Sequence, residues 1–203
     1  MRTCTASSLL SARRAAAAAV GRHQVRDISV GTDLTKSSLC WQKARPWYMD
    51  DKSSNKAVDN AVPMKEIFSG KTVVVFGVPA PFTGTCTYEH FPPYKQRAKL
   101  FKEDGVDSII CYTVADPYAH YNWGLSMGRE DVDDITFLAD PDCEWAKEYD
   151  LDADYSAASL GIRSKRFSML VEDGIVKTFH DLTGKDAGED AETLLCDVRK
   201  FGK

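Results

Sequence analysis

An uninterrupted apolar run over residues 72–78 constrains the fold of this chain more than any other feature. It shows no polar alternation, which is typical of a strand buried on both faces of a parallel sheet. A loop rich in Pro and Gly covers 79–85, and a helix-like segment extends from 85 to about 104. Cys86 therefore lies at a helix start, where unpaired N–H groups and the helix dipole favour a thiolate. We expect Cys86 to be a redox-active nucleophile.

The rest of the pattern predicts an α/β fold in which strands and helices alternate. A βαβ unit followed by a ββα unit is the thioredoxin-like arrangement, with a central mixed sheet flanked by helices. The predicted elements are strands at 106–114 and 135–139, helices at 116–124 and 140–148, a hairpin of 167–171 and 175–179, and a terminal helix at 189–201.

Composition excludes several classes of function. The chain has 203 residues and a net charge of −4, which suits one globular domain with some additional length. Apolar runs are too short to span a bilayer, so no membrane span is expected. Because no basic stripe exists outside the N-terminus, we do not expect nucleic-acid binding.

The N-terminal third divides into two segments before the predicted domain at 62–203. Residues 1–26 contain five arginines and no acidic side chain, which is typical of a mitochondrial transit peptide cleaved near Arg26. A disordered basic tail is the alternative. Residues 27–61 form an arm that we expect to be mostly irregular. Its aromatic patch, from Trp41 to Met49, either docks on the domain or contacts a partner.

Six cysteines occur without a C-x-x-C pair, and nothing in the chain indicates secretion into an oxidising compartment. We therefore expect no disulfide framework. Cys143, at a predicted helix start, is a weaker candidate for a second thiol of low pKa. His90 follows Cys86 by four residues and is expected to serve packing or a structural hydrogen bond.

The motif Pro79-x-x-x-Thr83-x-x-Cys86 resembles the active-site signature of the peroxiredoxins. Its context is similar to the type II, atypical two-cysteine (peroxiredoxin-five-like) branch. Phe76-Gly77-Val78-Pro79 precedes the cysteine, His90-Phe91-Pro92 follows it, and the distant stretch 160–169 contains Arg166. The similarity covers residues 62–180 and implies a thioredoxin-like fold.

The resemblance implies a role for each matching residue. Cys86 would be the peroxidatic cysteine, which attacks a hydroperoxide as a thiolate and becomes a sulfenic acid. Thr83 would place its hydroxyl against the thiolate and the peroxide. Arg166 would stabilise the thiolate and the developing charge, and Pro79 would shield the sulfur from water. The implied function is a thiol-specific peroxidase for hydrogen peroxide and organic hydroperoxides in antioxidant defence, which needs no metal or organic cofactor.

The step that returns the sulfenic acid to a thiol stays open. Cys111 is the candidate resolving cysteine, because some type II members use a cysteine at this spacing; others keep one there without that role. A strand cysteine needs local unfolding to reach a helix-start cysteine. Without a resolving cysteine, glutathione, glutaredoxin or thioredoxin would be the reductant.

Two assemblies agree with these features. The first is a homodimeric enzyme in the mitochondrial matrix. The second is a peroxiredoxin-like accessory or redox-sensing subunit of a larger mitochondrial assembly, held through the aromatic patch of the arm.

Overall fold

A computed structural model describes residues 26–47, 54–128 and 134–201. The strands are β1 Cys40–Lys43, β2 Ala61–Pro63, β3 Thr72–Val78, β4 Ser108–Thr113, β5 Ile135–Ala139, β6 Asp152–Asp154, β7 Ile162–Ser164, β8 Phe167–Glu172 and β9 Ile175–Asp181. The α-helices are α1 Ala57–Asn60, α2 Met64–Phe68, α3 Phe91–Glu103, α4 Pro117–Ser126, α5 Glu144–Glu148 and α6 Asp190–Phe201. A π-helical turn, Cys86–His90, precedes α3.

Seven strands form one mixed sheet in the order β2-β1-β5-β4-β3-β8-β9. β3, β4 and β5 are parallel, whereas β8 and β9 on one side and β1 and β2 on the other are antiparallel to their neighbours. β6 and β7 pair separately. Parallel strands joined by helices, followed by an antiparallel hairpin and a final helix, confirm the predicted thioredoxin-like α/β fold.

The sheet separates two hydrophobic cores, because successive side chains of β3 point to opposite faces. Val73 and Val75 belong to the core beneath α2 and α5. Val74 and Phe76 belong to the core beneath α3, α4 and α6, and Cys86 is buried in that second core. Cys86 is thus anchored on the face that the terminal helix covers.

Gly77 allows the end of β3 to approach β8 closely. It pairs with Phe167 in the antiparallel register, and a Cβ atom on Gly77 would lie 2.2 Å from Phe167 Cε1. A side chain at this position would force the two strands apart. Because Arg166 immediately precedes Phe167, this contact helps to bring Arg166 to the end of β3.

The arm at residues 27–61 packs against the sheet at both edges. Gly31 N donates to Val176 O over 2.8 Å, beside β9, and β1 pairs with β5 near the opposite edge. Trp41 is fully buried, whereas Trp47 is 71% exposed and packs edge-on against Tyr118. The sequence analysis did not predict β1, because its four residues lack a clear apolar period.

The remaining features of the N-terminal third lie partly outside the described residues. The aromatic patch extends past residue 47 into such a segment, and nearly all of the predicted transit peptide, residues 1–25, also falls outside. Among the helices of the described residues, none has the length and apolar character that a membrane crossing requires.

Candidate active site

Cys86 is delivered to its position by the turn that follows β3. The turn includes Phe82, whose φ is +60°, and it ends where Thr87 N donates to Thr83 O over 3.0 Å. Cys86 is the first residue of the π-helical turn, and its carbonyl accepts from Phe91 N–H. π-Helical turns are rare and occur frequently at functional sites.

Pro92 and Pro93 lie in the first turn of α3. A missing N–H is tolerated there, because the first amides of an α-helix have no intrahelical partner. The prolines therefore mark the change from π-helix to α-helix. The predicted placement of Cys86 at a helix start is confirmed.

Arg166 brings a guanidinium to the sulfur of Cys86. Its Nη2 donates to Cys86 Sγ over 3.4 Å, and its Nη1 lies 3.1 Å from His90 Nδ1. Cys86 is only 1% exposed, so water provides little screening of this contact. A buried sulfur beside a cation and at a helix start has the surroundings that stabilise a thiolate.

Thr83 and Pro79 lie in the same turn. The Thr83 hydroxyl donates to Ala80 O over 2.8 Å, so its proton is directed at the backbone rather than at the sulfur. Pro79 is buried directly after β3. Thr87 is held from the other side, since Trp123 Nε1 donates to its hydroxyl over 3.1 Å.

Cys111 lies in the same core as Cys86. It is on β4, opposite Phe76, and is fully buried. Burial, and secondarily the charge of Cys86, raises the pKa of the Cys111 thiol well above its usual range. Both are free cysteines in this state. The candidate resolving cysteine is thus near the site but is held as a buried thiol.

Cys143 does not meet the expectation of a low pKa. Burial, together with the charge of Asp140, raises the pKa of Cys143 to about 11. The weaker candidate for a second activated thiol is therefore wrong, because the sequence shows Asp140 nearby but does not show how deeply the sulfur of Cys143 is buried. Cys40 and Cys196 are exposed.

Sequence reasoning missed a buried polar network behind the site. His90 Nε2 lies 3.0 Å from Asp190 Oδ2, and both side chains are fully buried. Asp190 comes four residues before Leu194, so it lies on the predicted apolar face of α6. An acidic residue at such a position was the available signal, since a buried carboxylate needs partners.

Comparison with known proteins agrees with the geometry. The Redoxin family matches residues 49–195. Mitochondrial peroxiredoxin-2F of Arabidopsis thaliana is 42% identical over 173 residues, which cover 84% of this chain and 83% of that protein. Mitochondrial peroxiredoxin-2F of rice (Oryza sativa subsp. japonica) is 39% identical over 168 residues, 82% of each protein.

A solved structure supports the same assignment. The crystal structure of reduced Prx3 from Vibrio vulnificus in complex with H2O2 superposes with a TM-score of 0.70 at 28% identity. The superposition covers 84% of this chain and 99% of that chain. The sequence and structural matches both extend over most of the chain and include the Cys86 region. The chain belongs to the peroxiredoxin family, in its type II branch, and is a thiol-dependent peroxidase with an antioxidant function.

Proposed function

We propose that Cys86 is the peroxidatic cysteine and that Arg166 is its principal catalytic partner. The observation that supports this assignment is the 3.4 Å contact between Arg166 Nη2 and Cys86 Sγ inside a buried site. The guanidinium remains charged at any pH at which the protein is folded, so it stabilises the thiolate throughout.

The reaction at Cys86 is a two-electron transfer. The thiolate sulfur attacks the terminal oxygen of the hydroperoxide, an S–O bond forms, and the O–O bond breaks. The sulfur is oxidised to a sulfenic acid, while the leaving oxygen departs as an alkoxide or hydroxide and takes up a proton. N–H groups of Arg166 can donate to that oxygen as its negative charge develops.

Thr83 and Pro79 prepare the site for the peroxide. Because the Thr83 hydroxyl donates its proton to Ala80 O, its oxygen presents lone pairs and can accept from the O–H of an incoming hydroperoxide. Such a contact would orient the terminal oxygen toward the sulfur. Pro79 has no N–H to hydrate and limits the access of water to Cys86.

The sulfenic acid returns to a thiol by one of two routes. Cys111 can form a disulfide with Cys86 only after local opening, since both side chains are buried and a disulfide requires specific Cα and Cβ distances. Otherwise an external thiol attacks the sulfenic acid and water leaves. Thioredoxin, glutaredoxin or glutathione would supply this thiol and complete the reduction.

Location and assembly follow from other parts of the chain. The arginine-rich segment 1–26 and the mitochondrial relatives support import into the mitochondrial matrix. We expect a homodimer. The alternative function, an accessory subunit of a larger assembly, is not favoured, because the chain matches peroxiredoxins over most of its length and retains the Cys86–Arg166 pair.

Peptide mass spectrometry after one equivalent of hydrogen peroxide tests this proposal. We expect the first oxidation at Cys86, followed by a Cys86–Cys111 disulfide if Cys111 is the resolving residue. The matched variant Cys111→Ser should still be oxidised at Cys86 and should accumulate the sulfenic acid or a mixed disulfide with added glutathione. Oxidation of another cysteine with Cys86 unmodified would contradict the assignment.

A further inference from the structure

Asp190 is a buried carboxylate that collects hydrogen bonds from three other elements. Its Oδ2 accepts from His90 Nε2 over 3.0 Å and from the Tyr94 hydroxyl, and its Oδ1 accepts from Ser168 Oγ over 2.7 Å. His180 Nδ1 lies 3.7 Å from Oδ1, an ion-pair rather than a hydrogen-bond distance. A fully buried carboxylate is costly unless it is paired in this way.

The charge of Asp190 is retained despite its burial. Burial alone would raise the pKa of its carboxyl, but the contacts from His180, His90 and Tyr94 outweigh that effect and lower the pKa below its usual value. Asp190 is therefore an anion inside the core that also contains Cys86. It accepts hydrogen bonds and donates none.

The position of Arg166 determines the protonation of His90. A guanidinium can only donate hydrogen bonds, so His90 Nδ1, at 3.1 Å from Arg166 Nη1, must accept and has no proton. The proton of the neutral ring is then on Nε2, which faces Asp190. Burial lowers the pKa of His90; the hydrogen bond and the charge of Asp190 oppose this and the charge of Arg166 adds to it, and the net shift is downward, in agreement with a neutral ring.

Removal of Asp190 would weaken the preference of His90 for the tautomer with its proton on Nε2. His90 Nε2–H would lose its acceptor in a dry site, and the tautomer with the proton on Nδ1 would become competitive. That tautomer directs an N–H group at the Arg166 guanidinium, where two donors repel each other. Arg166 would then lose one of its two fixed contacts and move relative to Cys86 Sγ.

We propose that Asp190, on the C-terminal helix, is a positioning residue of the peroxidase site: it fixes the His90 tautomer whose Nδ1 accepts from Arg166, and it thereby holds the guanidinium against Cys86. This inference rests on the peroxidase function of Cys86 and assigns to α6 a part in the chemistry. Asp190 acts through His90 and Arg166 and does not touch the peroxide.

The surroundings of His90 determine how the site responds to pH. Asp190 faces it from α6, Arg166 from the β7–β8 connection and Tyr94 from α3, while the Phe76 ring packs edge-on against it. Protonation of His90 at low pH would convert Nδ1 into a donor and would have the same effect on Arg166 as loss of Asp190. A variant at 190 should therefore change the pH profile as well as the rate.

The variants Asp190→Ala and Asp190→Asn test the proposal, with Glu192→Gln as the matched control. Glu192 is on the same helix and pairs with Arg97 on the surface, away from Cys86. Stopped-flow oxidation by hydrogen peroxide gives the second-order rate constant. Iodoacetamide alkylation of the Cys86 peptide over pH 4–9 gives the thiolate fraction. Circular dichroism establishes that each variant is folded.

We expect Asp190→Ala to lower the oxidation rate constant by about tenfold at pH 7. Its alkylation profile should shift to higher pH by about one unit. Asp190→Asn, which keeps the size of the side chain, should show smaller shifts in the same directions and decides the question if the alanine variant does not fold. Glu192→Gln should match the wild type.

Two results would overturn the proposal. One is that both folded Asp190 variants keep the wild-type rate and alkylation profile. The other is a lower melting temperature with an unchanged alkylation profile, which would indicate a structural role only. A wild-type protein without peroxidase activity would instead contradict the function itself.

Discussion

Two junctions between a parallel strand and a helix each place a cysteine in the core, with opposite charges close to the two sulfurs. Cys86 follows β3 and is 1% exposed; Cys143 follows β5 and is 4% exposed. Each lies where a helical segment begins. The two thiols thus share their topology and their burial.

The two junctions differ in the charge beside the sulfur. Arg166 reaches Cys86 from the connection before β8. At the other junction Asp140 accepts from Glu144 N and Ala146 N, each over 3.1 Å, so a carboxylate already occupies the amides at the helix start. A helix start therefore does not define the surroundings of a cysteine by itself: a guanidinium contacts Cys86, whereas burial first and the charge of Asp140 second raise the pKa of Cys143.

The largest expected difference in peroxidase activity is between the two variants that replace cysteine by serine at one junction each. Cys86→Ser should lower peroxidase activity by at least about 1,000-fold, because the hydroxyl of serine stays protonated and is a poor nucleophile toward peroxide. Cys143→Ser should keep activity within about twofold of the wild type, since Cys143 stays a thiol at neutral pH. Peroxide consumption with a thiol reductant measures both. Comparable losses of peroxidase activity in the two variants would show that the two cysteines do not differ in function.

Removal of the cation at the first junction should have the next largest effect. Arg166→Gln keeps a hydrogen-bond donor but removes the charge, and we expect the rate constant for Cys86 oxidation to fall by about 100-fold. The control is Lys165→Gln, which removes the adjacent cation, whose partner Asp150 is on the surface. Stopped-flow measurement gives the rate constant of Cys86 oxidation by hydrogen peroxide. Equal rate constants for Arg166→Gln and Lys165→Gln would contradict the assigned role of Arg166.

Removal of the anion at the second junction should partly activate Cys143. Asp140→Asn keeps only one of the two oxygens that accept from Glu144 N and Ala146 N, and it removes the negative charge, so the pKa of Cys143 should fall from about 11 by about one unit. The pH dependence of alkylation at the Cys143 peptide reports this shift. Asp142→Asn, at an exposed carboxylate next to the cysteine, is the control. An unchanged profile in Asp140→Asn would show that burial alone sets the pKa.

The smallest expected effect is on folding stability, and it concerns His180 in the polar network behind the first junction. The contact with Asp190, together with Asp197 at 3.0 Å, raises the pKa of His180 even though burial opposes it. Charged His180 therefore stabilises the fold below about pH 6.5, its unfolded-state value, and this stabilisation is lost as the pH rises through the higher folded-state pKa.

His180→Gln should accordingly lower the melting temperature by about 1–3 °C at pH 5.5 and leave it unchanged at pH 9. Thermal unfolding followed by circular dichroism at the two pH values measures the difference. An equal loss at both pH values would mean that His180 contributes through packing and not through its charge.

The sequence was sufficient for the elements whose causes are local. The apolar run of β3 was predicted with its exact limits, and the Asp116-Pro117 start of α4 is observed, with the Asp116 carboxylate accepting from Tyr118 N and Ala119 N. Cys86 was located correctly because strand, loop and helix are contiguous in the chain.

Features determined by distant contacts were not predictable in the same way. β1 is a strand because it pairs with β2 and β5, which a four-residue segment cannot indicate by itself. The partners of His90 are 76 and 100 residues away along the chain. Similarly, both helix-start cysteines were candidates for activation until their neighbouring charges were known.

A segment of the arm pairs with the last strand of the sheet, and this has a kinetic consequence. Residues 31 and 32 hydrogen-bond to Val176 in β9, more than 140 residues later in the chain. Such pairing is non-local, and the entropy of closing the loop must be overcome before the contact stabilises anything. A chain that emerges from its N-terminus, from a ribosome or through a membrane pore, cannot complete this edge until β9 has emerged. Until then residues 31 and 32 have no strand to pair with, although β1 of the same arm can already pair with β5. Folding of this domain therefore finishes only after the chain has been released almost entirely.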